Sequence, residues 1–147
     1  MKDIKIRFLN ASDTDQMKEI SELFKDDMLS MGADSKHGFE LLNSPTVKTI
    51  VAESGDKIVG AVSFYDGFSV DAGKIYNLPF LIIRPEYRGS RIILSLFNEL
   101  KEIAAKDNVK SFVFSVYGKN EGAKKLYERI GATYMADVNE HFMFLDL

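Results

Sequence analysis

Apolar and polar residues alternate at the start of the chain. Ile4, Ile6 and Phe8 fall on one side and Lys5 and Arg7 on the other, the pattern of a half-buried strand. The period then lengthens. Met17, Ile20, Phe24 and Met28 recur at helical spacing behind Ser12-Asp13-Thr14-Asp15, with Ser12 as N-cap, acidic residues in the first turn and Gly32 as the stop. Residues 37–43 predict a second, short helix, ended by Ser44-Pro45. Residues 47–52 and 57–65 predict strands that form a hairpin through Ser54-Gly55-Asp56, and residues 66–73 a loop into the next strand. That strand closes on the bulky run Phe80 to Ile83, which predicts burial on both faces. Pro85 and Gly89 punctuate the chain. Ile92, Ile93, Leu96, Phe97, Leu100, Ile103 and Ala104 then give a long helix with a broad apolar face, closed by Lys106-Asp107-Asn108. Residues 111–117 alternate as a strand. Asn120 caps a further helix whose inner face is Ala123, Leu126, Tyr127 and Ile130, stopped by Gly131. Residues 133–138 and 141–147 predict two last strands, paired through Asn139-Glu140.

Composition narrows the picture a little. With 147 residues, 46% of them apolar and 28% charged, the chain is long enough for one domain with its own core, residues 1–147. The net charge of −3 argues against nucleic acid as a partner and suits a cationic amine. There is no cysteine, so disulfides, thiolate metal sites and a cysteine nucleophile are excluded. His37 and His141 are the only histidines, and their spacing is not that of a metal pair. No apolar run is long enough to span a bilayer and the N-terminus lacks a signal core, so no membrane partner is expected and a cytoplasmic location is the default.

The chemistry centres on the strand, turn and helix from Lys74 to Phe97. A helix N-terminus that follows a strand and a glycine turn points free N–H groups at one spot, and such a spot favours phosphate. Ile83-Arg84-Pro85-Glu86-Tyr87-Arg88-Gly89 resembles motif A of the GCN5-related N-acetyltransferases, the GNAT superfamily. The family turn reads Gln or Arg, any two residues, Gly, any residue, then Gly or Ala. Arg88 and Gly89 fit its start, while Arg91 and Ile93 stand where small residues are expected. The resemblance implies that the strand at Leu81, Ile82 and Ile83 bonds the pantetheine arm of acetyl-CoA. It implies that Arg88, Gly89, Ser90, Arg91, Ile92 and Ile93 hold the pyrophosphate. Arg91 narrows the backbone cradle that glycine would open, yet Arg88 and Arg91 can each supply a fork of donors to phosphate.

Asn120-Glu121-Gly122-Ala123-Lys124-Lys125-Leu126-Tyr127-Glu128-Arg129-Ile130-Gly131-Ala132 resembles GNAT motif B. By position, Asn120 and Ala123 would contact the coenzyme, Lys124 or Lys125 would reach its 3′-phosphate or adenine end, and Tyr127 would lie by the thioester sulfur. The two motifs and the element order imply the GNAT fold, an α/β (α+β) architecture. Its mixed central sheet has about seven strands, splayed between the fourth and fifth, flanked by about four helices. The implied activity is transfer of an acetyl group from acetyl-CoA to a primary amine, of a small molecule or a protein, by direct attack and without a metal. Homodimers are frequent in the family. The alternative is a GNAT-fold module whose altered turn has lost catalysis and which serves binding or structure.

The transfer sets three requirements. The amine, with a lysine-type pKa of ~10.4, must lose a proton first. The thioester oxygen needs a backbone N–H as negative charge grows on it, and Pro79, which has no N–H, points to a broken ladder beside Leu81 to Ile83. The leaving thiolate needs a proton, which the Tyr127 hydroxyl can donate. Glu53, Asp66, Tyr76, Glu86 and a water relay are the candidate bases, and His141 sits on a predicted strand. The regions that select the acceptor in the family hold Glu22, Asp26, Asp27, Tyr65, Asp66, Phe68, Asp71, Tyr76 and Glu140, acids among aromatics that suit a cation. The run Phe64-Tyr65 with Gly73-Lys74-Ile75-Tyr76 resembles the diamine acetyltransferase branch, whose central acidic pair is replaced here by Pro79-Phe80.

Overall fold

Five of the alternating segments lie side by side in one sheet, in the order of the chain. They are β1 (Ile4–Phe8), β2 (Lys48–Ser54), β3 (Lys57–Ser69), β4 (Gly73–Ile83) and β5 (Phe112–Val113). The first three junctions are antiparallel and β4 to β5 is parallel. A parallel neighbour requires a crossover, and the helix α3 (Ile92–Lys106) provides it. The helices α1 (Thr14–Ser30) and α2 (Gly38–Leu42) fall between β1 and β2, and α4 (Glu121–Arg129) follows β5. This computed structural model describes residues 3–89, 91–117, 119–133 and 145. The chain divides into two units, Met1–Ser115 and Val116–Leu147, the second holding α4.

The first unit buries both sheet faces. On one, Met17 and Ile20 of α1 and Leu42 of α2 close over Val51, Ile58, Ala61, Phe80 and Ile82, and Phe24 stacks on Phe80 at 4.4 Å between ring centroids. On the other, α3 buries Ile92, Ile93, Leu96, Phe97, Leu100 and Ala104. An aromatic ladder of Phe64, Tyr76, Phe112 and Phe97 joins this face to α3. Burying each large side chain contributes about 1.5–3 kcal/mol, so the helical and alternating patterns of the sequence are what specify the layers.

The helix stops are the predicted ones. Gly32, Asn108 and Gly131 take left-handed conformations with φ of 87°, 56° and 98°. In each case the next N–H returns to a carbonyl of the last turn, as in Ala33 to Met28, Val109 to Ala104 and Ala132 to Tyr127.

Three expectations are corrected. Ser12 does not cap α1: Asn10 caps a single 3-10 turn, Ala11–Asp13, and α1 begins at Thr14. The reason is Asp13, whose carboxylate accepts two hydrogen bonds of 2.8 Å from Arg7 and one of 2.9 Å from the Asn10 N–H, so the chain turns earlier. Residues 66–73 are not a loop. β3 runs on to Ser69 and β4 starts at Gly73, so the two form a long ribbon whose tip exposes Phe68 and Val70. The strand predicted at residues 111–117 is paired only at Phe112–Val113. The described residues thus contain five strands rather than about seven. The strands predicted at residues 133–138 and 141–147 lie outside them, apart from residues 133 and 145. Among the described residues, no helix is long and apolar enough to cross a membrane.

Candidate functional site

The site begins with a fault in β4. Pairing with β3 follows one register from Gly60–Ile83 to Ser63–Phe80 and another from Tyr65–Asn77 onwards, so β4 carries one extra residue at Leu78–Pro79. Pro79 is exposed and has no N–H, as its position in the sequence implied. At the same point β4 parts from β5. Their pairing covers Tyr76–Phe112 and Asn77–Val113, with Tyr76 N–H donating to the Ser111 carbonyl at 3.2 Å. No described strand accompanies β4 beyond Asn77 on that side.

Ladder geometry then fixes which backbone groups face the opening. Arg84 N–H donates to the Val59 carbonyl at 2.8 Å, which makes residues 84 and 59 a hydrogen-bonded pair. Antiparallel pairs alternate, so Ile82 turns its N–H and carbonyl to Ala61 of β3. Leu81 and Ile83 turn theirs the other way. Of the three residues expected on this strand, the structure therefore presents Leu81 and Ile83 to the edge and not Ile82. Burial follows the same rhythm: Phe80 and Ile82 are buried, Leu81 and Ile83 half-buried. The run is therefore fully buried on one face, at Phe80 and Ile82, and only partly on the other, at Leu81 and Ile83.

The turn after β4 joins this edge to α3. Gly60 allows the junction: a Cβ there would stand 2.7 Å from Ile83 Cδ1 and 3.2 Å from Ile92 Cγ2. Gly89 has φ of +80°, the left-handed conformation that favours glycine. Arg91 occupies the N-cap position of α3 and makes no capping bond; arginine has no acceptor atom. Its side chain is exposed and has no ion-pair partner among the described residues. Ile93, where the motif has a small residue, is only 6% exposed, its side chain being part of the core. Ser90 lies outside the described residues.

Arg88 and Arg84 are engaged. Arg88 donates through Nε to the Ile83 carbonyl at 3.0 Å and through Nη2 to Asp27 of α1. Arg84, 4% exposed, donates to the Ile58 carbonyl and to Glu19 of α1, while its Nη2 has no partner among the described residues. Glu19 carries no motif signal in the sequence, and Arg84 is there only a letter of the motif. The signal for Arg84 was a cation closing an apolar strand just before a proline.

In the second unit, Asn120 is the N-cap of α4 and accepts from the Ala123 N–H at 3.1 Å, which leaves its amide N–H groups without a partner among the described residues. Tyr127 is half-buried, and burial pushes its hydroxyl up to about 12, so it stays protonated throughout the neutral range. Lys125 is exposed, and Lys124 pairs with Glu121 at 3.4 Å.

Three of the four candidate bases have other partners. Glu53 accepts from Arg7 at 2.8 Å. Tyr76, 2% exposed, donates its hydroxyl to Asp107 at 2.7 Å, and burial first and Asp107 second raise its pKa. The Glu86 carboxyl is held low by its own N–H and by Lys57 at 3.2 Å. Asp66 is exposed. His37 is exposed too and pairs with Glu40 at 2.8 Å, while His141 lies outside the described residues.

A split between a bulged β4 and β5, leading into a glycine turn and a helix start, defines a class of acyl-transfer folds, and comparison places the chain in it. The model of the acetyltransferase (GNAT) family matches residues 15–132, so the chain belongs to that family. Solved structures agree in fold. A ribosomal-protein-alanine N-acetyltransferase from Brucella melitensis biovar Abortus 2308 is 20% identical, with a TM-score of 0.73 over 97% of this chain and 100% of that one. A possible acetyltransferase from Clostridium difficile 630 is 25% identical, with a TM-score of 0.74 over 98% and 99%. AAC(6')-Iy, solved with the bisubstrate analogue CoA-S-monomethyl-acetylneamine, is 13% identical, with a TM-score of 0.73 over 99% of each chain.

Proposed function

We propose that residues 1–147 act as a single GNAT domain, an acetyl-CoA-dependent N-acetyltransferase that acetylates a primary amine by direct attack. The observation that carries this reading is the open edge of β4, where Leu81 and Ile83 present backbone groups beyond the bulge. The residues present fit the coenzyme. The edge suits an amide-bearing pantetheine arm. The uncapped start of α3, with Gly89 and Arg91, which has no ion-pair partner among the described residues, suits a pyrophosphate. The bound coenzyme supplies the acetyl thioester. The chain's own groups do the rest: a β4 N–H, from Leu81 or Ile83, stabilises the carbonyl oxygen as charge develops. By their place in motif B, Asn120 holds the coenzyme and Tyr127 protonates the departing thiolate, a role its protonated hydroxyl suits. With Glu53, Tyr76 and Glu86 engaged elsewhere, the amine proton leaves to Asp66 or through water.

The acceptor is a cationic amine. Tyr76 is withdrawn from the choice of acceptor by its burial and its bond to Asp107, which weakens the likeness to diamine acetyltransferases. The rival, a decayed module, loses support from Ile93, whose side chain is buried in the core instead of obstructing the turn. Calorimetric titration of acetyl-CoA, followed by a thiol-release screen over amines, tests the reading. Binding and release of free thiol are expected. Absence of binding would leave the module.

A further inference from the structure

Two arginines of the coenzyme turn reach back to the same helix. Arg84 grips Glu19 and Arg88 grips Asp27, so α1 is tied to the turn near its beginning and again near its end. The two ties differ in kind. The Arg84 side chain is 5% exposed, and its Nε also bonds the Ile58 carbonyl, so this tie is a fixed anchor. The Arg88 and Asp27 side chains are 47% and 35% exposed, so that tie can exchange its partner for another anion. Arg88 is also the first residue of the phosphate turn, and its Nε occupies the Ile83 carbonyl on the open edge of β4.

Resting on the acetyl-CoA reading above, we infer that Asp27 is an internal competitor of the coenzyme phosphates for Arg88, and that coenzyme binding releases the last turn of α1. A diphosphate offers a guanidinium more acceptor oxygens and more charge than one carboxylate does. Transfer of Arg88 to the phosphates frees Asp27 and, with it, the last turn, from Asp27 to the stop at Gly32. Phe24 still holds the helix to the sheet by stacking on Phe80, but beyond it Met28 is only part-buried and Leu29 is 50% exposed, whereas Met17 and Ile20 lie fully in the core. Helix α1 thus has a fixed end and a latched end, and Asp27 is a positioning residue that sets how tightly the empty turn holds its arginine.

The test is a double-mutant cycle read by calorimetric titration of coenzyme A. Wild type, Asp27→Asn, Arg88→Gln, the double variant and Asp26→Asn are compared, each checked for folding by thermal melting. Asp27→Asn is expected to tighten coenzyme A binding about two- to five-fold, the range that an exposed ion pair commands. In the Arg88→Gln background the same change is expected to do nothing. Asp26→Asn removes an equal charge from the adjacent exposed position and is expected to leave affinity unchanged. A gain that persists without Arg88, or that Asp26→Asn reproduces, would mean general repulsion and overturn the latch. Loss of affinity in Asp27→Asn would overturn it too. No heat from any variant would remove the acetyl-CoA reading itself, and the latch with it.

Discussion

Replacing Gly89 by alanine separates backbone strain from side-chain collision. The φ of +80° is one that an L-residue adopts at a cost of about 1–2 kcal/mol. A Cβ built there meets no atom of the described residues within 4 Å beyond its chain neighbours, so no clash adds to the strain. Loss of glycine's freedom in the unfolded chain returns about 0.4–1 kcal/mol. The net cost is about 1 kcal/mol, or a fall of about 3 °C in Tm for a chain of this size. Gly73 is a matched control, with φ of +76° and the same empty surroundings, at the tip of the β3–β4 ribbon. Gly73→Ala should show this loss in full. In Gly89→Ala, whatever strain relaxes as the empty turn shifts is absent from the melt and must be restored on binding, so only there should coenzyme A binding weaken, by up to about five-fold. Asn tolerates the left-handed region, so Gly89→Asn should fall between. Thermal melts and calorimetry on the same preparations read both quantities. Equal losses of affinity at the two glycines, or none at Gly89 despite the lost stability, would refute the reasoning.

Other outcomes follow from single contacts. Tyr127→Phe should lower kcat by about 10²–10⁴-fold, the worth of a general acid, with coenzyme A affinity unchanged; an unaltered rate in a thiol-release assay removes Tyr127 from the mechanism. Phe80→Ala should cost about 3–5 kcal/mol in denaturant unfolding, because Phe80 is 1% exposed and stacks on Phe24; a cost below about 1 kcal/mol would mean the face collapses around the gap. Asp13 tests pH dependence. Hydrogen bonding to Arg7 first, and then the Asn10 N–H, hold its carboxyl below the usual range despite burial. That contribution is complete above the unfolded pKa of ~3.9 and disappears as pH falls through the folded value. Asp13→Asn should therefore be less stable than wild type at neutral pH and the gap should narrow below about pH 4; a constant gap in acid titrations would contradict it.

The helices were legible because their signals are local. Met17 and Ile20 fall one turn apart, and Gly32, Asn108 and Gly131 end helices by a conformation that few residues tolerate. The motif around Gly89 was legible for the same reason. What escaped depends on partners distant in sequence. Residues 66–73 carry Asp, Gly and Ser like any loop, yet they pair as a ribbon, since Gly67 lets the Asn77 side chain lie across it where a Cβ would stand 2.4 Å from Nδ2. The strand at residues 111–117 alternates correctly, but alternation cannot reveal that its neighbour turns away at Pro79. Four apolar residues from Phe80 to Ile83 read as doubly buried for the same reason. The Arg7–Asp13 and Arg88–Asp27 pairs join residues that the chain alone gives no cause to associate, and both altered the reading of a neighbouring residue.

Amide hydrogen exchange along β4 tests the central claim most directly. In the free protein Ile82 should exchange slowly, bonded to β3, while Leu81 and Ile83 exchange fast at the open edge. Saturating coenzyme A should protect Leu81 and Ile83 and leave Ile82 as it was. Protection of all three before coenzyme is added, or no change at Leu81 and Ile83 afterwards, would contradict a thioester carrier held along this strand.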